Sequence, residues 1–201
     1  MRPCRYLLLG LAALLPLGAA ADRGTGDLGI VVERAAGTLQ IIETSGNTAL
    51  GRIQGLGDLS HASAVFSRDG RYAFVFGRDG GLSKVDLLEA RLIERVQQAG
   101  NSIGGAISQD GRLVAVSNYE PGGVRVFGAE TLDLVADIPA VYGTEGKTSK
   151  VIGLVDAPGD RFVFSLWDAG EIWIADMSDP TRIGIQKFAD IGRNPYDALI
   201  T

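Results

Sequence analysis

Beyond residue 21, apolar and polar positions alternate with period two in short runs separated by Gly, Asp and Asn. Such alternation sends successive side chains to opposite faces of a strand, and the intervening residues are those that close tight turns. No helical period persists for more than about ten residues, so the pattern predicts an all-β fold. Three stretches share one plan: SRDGRYAFVFGRDGGLSKVDL (67–87), SQDGRLVAVSNYEPGGVRVFGAETL (108–132) and APGDRFVFSLWDAGEIWIADM (157–177). Each runs from a polar turn and an arginine through a strand and a Gly-containing loop into a second strand. Arg71, Arg112 and Arg161 stand 41 and 49 residues apart, close to the spacing of a four-stranded β-propeller blade. LGIVVERAAGTLQIIET (28–44) predicts part of an earlier blade, and RNPYDALIT (193–201) the start of another.

At about 45 residues per blade, residues 22–201 hold roughly four blades. The run into DALIT reads as the opening of a further strand, so the expectation is a partial β-propeller within a longer protein. A small closed four-bladed ring is the alternative.

Residues 1–21 have the layout of a secretory signal. Arg2 and Arg5 form a basic start, Tyr6 to Gly18 is uncharged and apolar, and Ala19, Ala20 and Ala21 offer a cleavage site. Pro16 interrupts an apolar run already short for a membrane span, which argues against an uncleaved anchor. The expectation is a periplasmic protein with no membrane span after cleavage. Cleavage removes two arginines and no acid, taking the net charge from −5 to −7, which disfavours nucleic acid as a partner. It also removes Cys4, the one cysteine, and with it disulfides, thiolate metal sites and a C-x-x-C-H attachment for covalent c-type haem. A single histidine, His61, makes a structural zinc site a poor reading.

In an up-and-down blade, loops two strands apart share an end of the sheet. His61 and Arg78 therefore fall on one face, with Asn101, Ser102, Asn118, Tyr119 and Glu120 from the next blade, and Lys147, Thr148, Lys150, Trp167 and Asp168 from the one after. The turns carrying Asp69, Arg71, Asp110, Arg112 and Arg161 fall on the opposite face, where a hairpin role with the arginines bonding across blade edges is the plain reading. His61 has a structural alternative too, as a blade lock held by Asp79. Arg78 has one as a surface ion pair with Glu120, and Tyr119 and Trp167 as blade packing.

The segment SHASAVFSRDGRYAFVFGRDGGLSKVDL resembles the eight-bladed haem d1 domain of cytochrome cd-type nitrite reductases, and GKTSKVIGLVDAPGDRFVFSLWDAGEIWIADMSDP (146–180) is similar to exported haem d1 biosynthesis proteins related to that domain. The resemblance implies that His61 is the axial ligand to haem iron, that Arg78 binds a haem carboxylate, and that Lys150 stands where the reductases carry an arginine. Ala64 replaces an arginine of the reductases, and the electron-entry haem domain has no counterpart upstream, which makes nitrite reduction itself a poor expectation. A carboxylate-rich tetrapyrrole needs an imidazole for iron, cationic donors and an apolar wall. His61, Arg78, Lys147 and Lys150 supply the first two, Tyr119 and Trp167 part of the third.

The expectation is thus a protein of haem d1 biosynthesis that binds haem d1 or a late precursor for side-chain modification or dehydrogenation, with nitrite reductase or another maturation protein as partner. No nucleophile and base pair, phosphate loop or dinucleotide fingerprint accompanies these residues. A non-catalytic tetrapyrrole carrier and a haem-free scaffold are the alternatives.

Overall fold

The computed structural model describes residues 26–200. The leader expected at 1–21, with Cys4, lies outside the described residues. Seventeen strands form three four-stranded antiparallel sheets, one three-stranded sheet and a short hairpin. Blade one holds Leu28–Glu33 (β1), Thr38–Glu43 (β2) and Thr48–Ile53 (β3). Blade two runs through Ser63–Phe66 (β4), Tyr72–Phe76 (β5), Gly81–Asp86 (β6) and Arg91–Gln97 (β7). Blade three follows with Asn101–Ile107 (β8), Leu113–Glu120 (β9), Val124–Gly128 (β10) and Leu134–Ile138 (β11). A hairpin of Val141–Tyr142 (β12) and Lys147–Thr148 (β13) leads into blade four: Val151–Ala157 (β14), Arg161–Leu166 (β15), Glu171–Asp176 (β16) and Gly184–Phe188 (β17). Each blade is a meander, and β4, β8 and β14 pack in succession on the inner side. This is a β-propeller, as the repeat predicts.

The period-two pattern explains why the blades stack. On β5, Ala73 and Val75 face one way into an apolar layer with Leu39, Ile41 and Ile53 of blade one. Phe74 and Phe76 face the other way, into a layer with Ile107, Val114 and Val116 of blade three. Ala115 on β9 again turns over, joining Phe162, Phe164 and Trp173 of blade four. Central strands buried on both faces are why YAFVF and RFVFSL read as nearly continuous apolar runs. Among the described residues no helix is long and apolar enough to cross a membrane.

The D-G-R turns lie at the end of the blades opposite His61, as the loop alternation requires, but their arginines stay within their own blades. Arg71 donates to Asp86 at 2.9 Å, and Asp86 also accepts from the Leu88 and Glu89 amides. Arg112 reaches only Asp110 in its own turn, and Arg161 the Pro158 carbonyl at 2.7 Å. The arginine beside these turns that does cross between blades is Arg68, whose guanidinium donates to the carbonyls of Ser108 at 3.0 Å and Ile107 at 2.9 Å. The segment 193–200, expected to open a strand, runs beside β14: Gly153 N–H donates to the Tyr196 carbonyl at 2.8 Å, without forming a strand of its own.

The two turns differ in what a truncation exposes. The Asp86 side chain is 1 % exposed and loses its charged partner in Arg71→Ala, whereas Arg112 is 81 % exposed. Arg71→Ala therefore lowers the urea midpoint clearly, while Arg112→Ala leaves it near the parent value. The Asp110 carboxyl is held at about 2, first by the Ser108 hydroxyl and then by the Arg112 amide. A depressed folded-state value means that its stabilisation is complete above the ordinary aspartate range near 3.9 and is lost as pH falls toward about 2. Ser108→Ala raises that titration toward the ordinary range, read by carboxyl NMR.

Candidate functional site

Three independent sets of hydrogen bonds place the predicted loops on one face. In blade two, Arg78 N–H donates to the Asp58 carbonyl at 2.8 Å, joining the β5–β6 loop to the segment that carries His61. In blade three, the Gln98 and Asn118 side chains exchange hydrogen bonds of 2.9 and 3.2 Å, and Gly100 N–H donates to the Glu120 carbonyl at 3.1 Å. In blade four, Asp168 accepts from the Lys150 ammonium at 2.7 Å and from its amide at 2.9 Å, while Asp168 N–H donates to Ser149 Oγ at 2.9 Å. Gly80, at φ +81°, permits the tightest of these joints, because a Cβ there would lie 2.1 Å from the Ala99 carbonyl oxygen.

His61 ends this blade-two segment immediately before β4, half-buried, and its imidazole makes no hydrogen bond or ion pair with a described residue. Asp79 does lock blade two, but through other partners: its carboxylate binds the Arg95 guanidinium at 2.7 Å and accepts from the Asp58 amide at 3.1 Å and the Gly81 amide at 3.0 Å. The Asp79 pairing considered for His61 is therefore not formed. Arg78 is exposed, and its side chain makes no ion pair with Glu120 or any other described carboxylate. Its charge is nonetheless felt by Asp58 and by Tyr119.

The two lysines are placed differently. Lys150 is clamped on Asp168, and Lys147 on β13 pairs with Glu145 at 2.8 Å on an exposed hairpin. Trp167 and Tyr119 belong to an aromatic group that sequence reading left incomplete. The Tyr196 ring meets Trp167 edge-on, with centroids 5.9 Å apart at 84°. Burial, followed by the charge and hydrogen bond of the Tyr196 phenol, raises the Tyr119 phenol above its ordinary value, and Arg78 opposes the rise. Tyr196 was legible as an aromatic in the N-P-Y run, but a strand assignment there hides its role. Arg193, Asn194 and Asp190 join Trp167 around an open groove of about 530 Å³ on the same face. Asn101, at the start of β8, holds a buried side-chain oxygen without a partner.

The face thus presents an imidazole and a guanidinium from blade two, and an aromatic group spanning blades three and four. These are the groups left over after the loop-locking pairs are made. They suit a flat, apolar, anionic ligand with a Lewis-acidic centre. Tyr196→Phe is expected to bring the Tyr119 phenol titration down, leaving it still above the ordinary tyrosine value because burial is the larger cause. Ultraviolet titration of the two proteins checks this.

The sequence profile of the Cytochrome D1 heme domain matches residues 23–201. The chain is 60% identical to Protein NirF of Pseudomonas aeruginosa over 205 residues, covering 100% of this chain and 51% of that protein. It is 61% identical to Protein NirF of Stutzerimonas stutzeri over 198 residues, covering 98% of this chain and 51% of that one. The chain spans about half the length of these relatives. Among solved structures it is similar to dihydro-heme d1 dehydrogenase NirN in complex with DHE, with a TM-score of 0.73 and 28% identity over 89% of this chain and 38% of that one.

Proposed function

This chain belongs to the Cytochrome D1 heme domain family, and we propose from that premise that it serves haem d1 biosynthesis by binding a late haem d1 precursor as substrate on the face that carries His61. The observation that carries this reading is the pairing of two unused groups in one loop cluster. His61 offers a half-buried imidazole with no protein partner, and Arg78 a guanidinium with no protein carboxylate. Both are open to a ligand and both fit the group: a ring nitrogen of His61 for the iron, the planar fork of Arg78 for a peripheral carboxylate. Tyr119, Tyr196 and Trp167 cover an apolar ring edge. Lys150 and Lys147 supply little free charge, since Asp168 and Glu145 neutralise them.

The bound tetrapyrrole supplies the oxidisable or removable side chain, and the protein's residues orient it. Arg78 would hold one peripheral carboxylate of the ring, and His61 would offer a ring nitrogen to its iron. The reaction we assign is a side-chain modification, or a dehydrogenation whose two electrons and two protons pass to an electron acceptor outside this chain, during maturation of dissimilatory nitrite reductase, in the periplasm if residues 1–21 act as a cleaved leader.

His61→Ala is expected to remove the axial-ligand signature from the visible spectrum of the bound ferric precursor while leaving the melting temperature in place. Arg78→Ala is expected to weaken binding by about 10- to 150-fold, the loss of one charge-assisted contact of roughly 1.5–3 kcal/mol. Lys147→Ala changes neither. An unaltered spectrum with a lowered melting temperature in His61→Ala overturns the ligand assignment. A single-turnover mass measurement separates modification from carriage, because a carrier returns the pigment unchanged.

A further inference from the structure

The end of the propeller opposite His61 carries two equivalent clefts between successive blades, and they are lined differently. Between blades two and three, two cations of the chain bridge the cleft and leave an open surface hollow of about 430 Å³ lined by Arg68, Tyr72, Lys84 and Glu130. The Lys84 ammonium donates to the Glu130 carbonyl at 2.8 Å and sits 4.5 Å from the Tyr72 ring centroid. Arg68 caps the Ser108 and Ile107 carbonyls. Burial among these groups is the main influence on Lys84 and lowers the titration of its ammonium.

One blade further on, the backbone repeats and the bridging cations are missing. Leu87, Ala129 and Met177 are matched positions, since their amides donate to the carbonyls of Arg71, Arg112 and Asp160 in turn. Ser178 therefore stands where Glu130 stood, and Ala157 stands where Ser108 stood. The donors have changed. Val126, opposite Ala115, replaces Lys84, which lies opposite Phe74, and Gln109 replaces Arg68. Leu113 replaces Tyr72. Neither the Gln109 side chain nor the Ser178 carbonyl has a hydrogen-bond partner among the described residues. What remains is a cleft of about 220 Å³ with Leu113, Phe162 and Met177 on its walls and Ser178 at its rim. That is below the roughly 300–1,000 Å³ of a site for a whole small molecule, and suits a single side chain.

We propose that this cleft accepts a lysine side chain carried by a partner protein, its methylene stem against Leu113, Phe162 and Met177 and its ammonium on the Ser178 carbonyl. The occupant follows from the neighbouring cleft, where the same backbone frame holds Lys84. The charges at the rim permit it. Arg112 is neutralised by Asp110, Arg161 is turned onto the Pro158 carbonyl and lies in the field of Asp176, and Asp160 carries a carboxylate without an ion pair. The site lies at the far end of the blades from His61, so a docked partner leaves the other face open. The inference is independent of what that face binds.

The probes are the tripeptide acetyl-Gly-Lys-Gly-amide, its norleucine analogue with the same stem and no charge, and its glutamate analogue, each titrated into the protein and followed by amide NMR. The lysine peptide is expected to shift Leu113, Phe162, Met177 and Ser178, with the norleucine peptide weaker by about tenfold or more. Gln109 is exposed, so Gln109→Arg leaves the fold intact and supplies the bridge that Arg68 supplies next door. It is expected to abolish those shifts and to raise the melting temperature, and Arg161→Ala to leave them or strengthen them. The proposal is overturned if the cleft resonances stay silent, if the norleucine or glutamate peptide binds as well as the lysine peptide, or if the lysine-induced shifts persist in Gln109→Arg.

Discussion

Everything in this fold depends on the second strands of blades two, three and four, β5, β9 and β15, being buried on both faces. A sheet that must be covered twice cannot stop at one neighbour, so each blade recruits the next and the chain stacks radially. On β5 the requirement is met by size as well as polarity, with Ala73 and Val75 against blade one and Phe74 and Phe76 against blade three. Gly105 shows how close the second contact is, since a Cβ at that position would lie 2.5 Å from the Phe76 ring. Apolar layers set the spacing between blades, and that spacing fixes where every connecting loop emerges. Directional bonds then only have to pin the loops.

Those pins are a small set of polar groups, and they define the candidate face by exclusion. Asp79 consumes Arg95, Asp168 consumes Lys150, and Gln98 and Asn118 consume each other. Each pair is a satisfied network whose members are constrained by structure rather than free for a ligand. His61 and Arg78 sit in the same loops without such partners. Asp79 and Arg78 are adjacent in sequence, yet one locks the blade and the other projects from it. The alternation of strand ends brings both roles to a single loop.

The architecture was legible because period two and the D-G-R spacing are properties of neighbouring residues. The face assignment was also legible, since counting strands needs no knowledge of side-chain contacts. Partners were not. Asp79 choosing Arg95 over His61 depends on how β7 returns beside the β5–β6 loop, and Arg68 rather than Arg71 crossing between blades depends on the angle between two hairpins. Tyr196 was hidden for a further reason: DALIT reads as a strand by composition, but the segment lies along β14 through the bond from Gly153 to Tyr196 and a 2.6 Å bond from the Ser165 hydroxyl to the same carbonyl. Competition of this kind among acceptors is settled only by tertiary geometry.

A repeated fold also makes its own departures informative. When the same backbone frame recurs, a residue that differs between copies cannot be explained by the frame. Lys84 and Val126 occupy matched sites, so the lysine is not required for a blade to pack, and its absence changes only what lines the cleft. His61 obeys the same logic. The segment before β8 closes through Gln98 and Asn118, and the residues before β14 close through Ser149 and Asp168, so a blade of this type locks without any histidine. Blade two is locked as well, by Asp79 and Arg95. The frame therefore gives no structural reason for an imidazole at position 61, and a half-buried aromatic base without a protein partner keeps its ring nitrogens open to hydrogen bonding or coordination by something outside the protein.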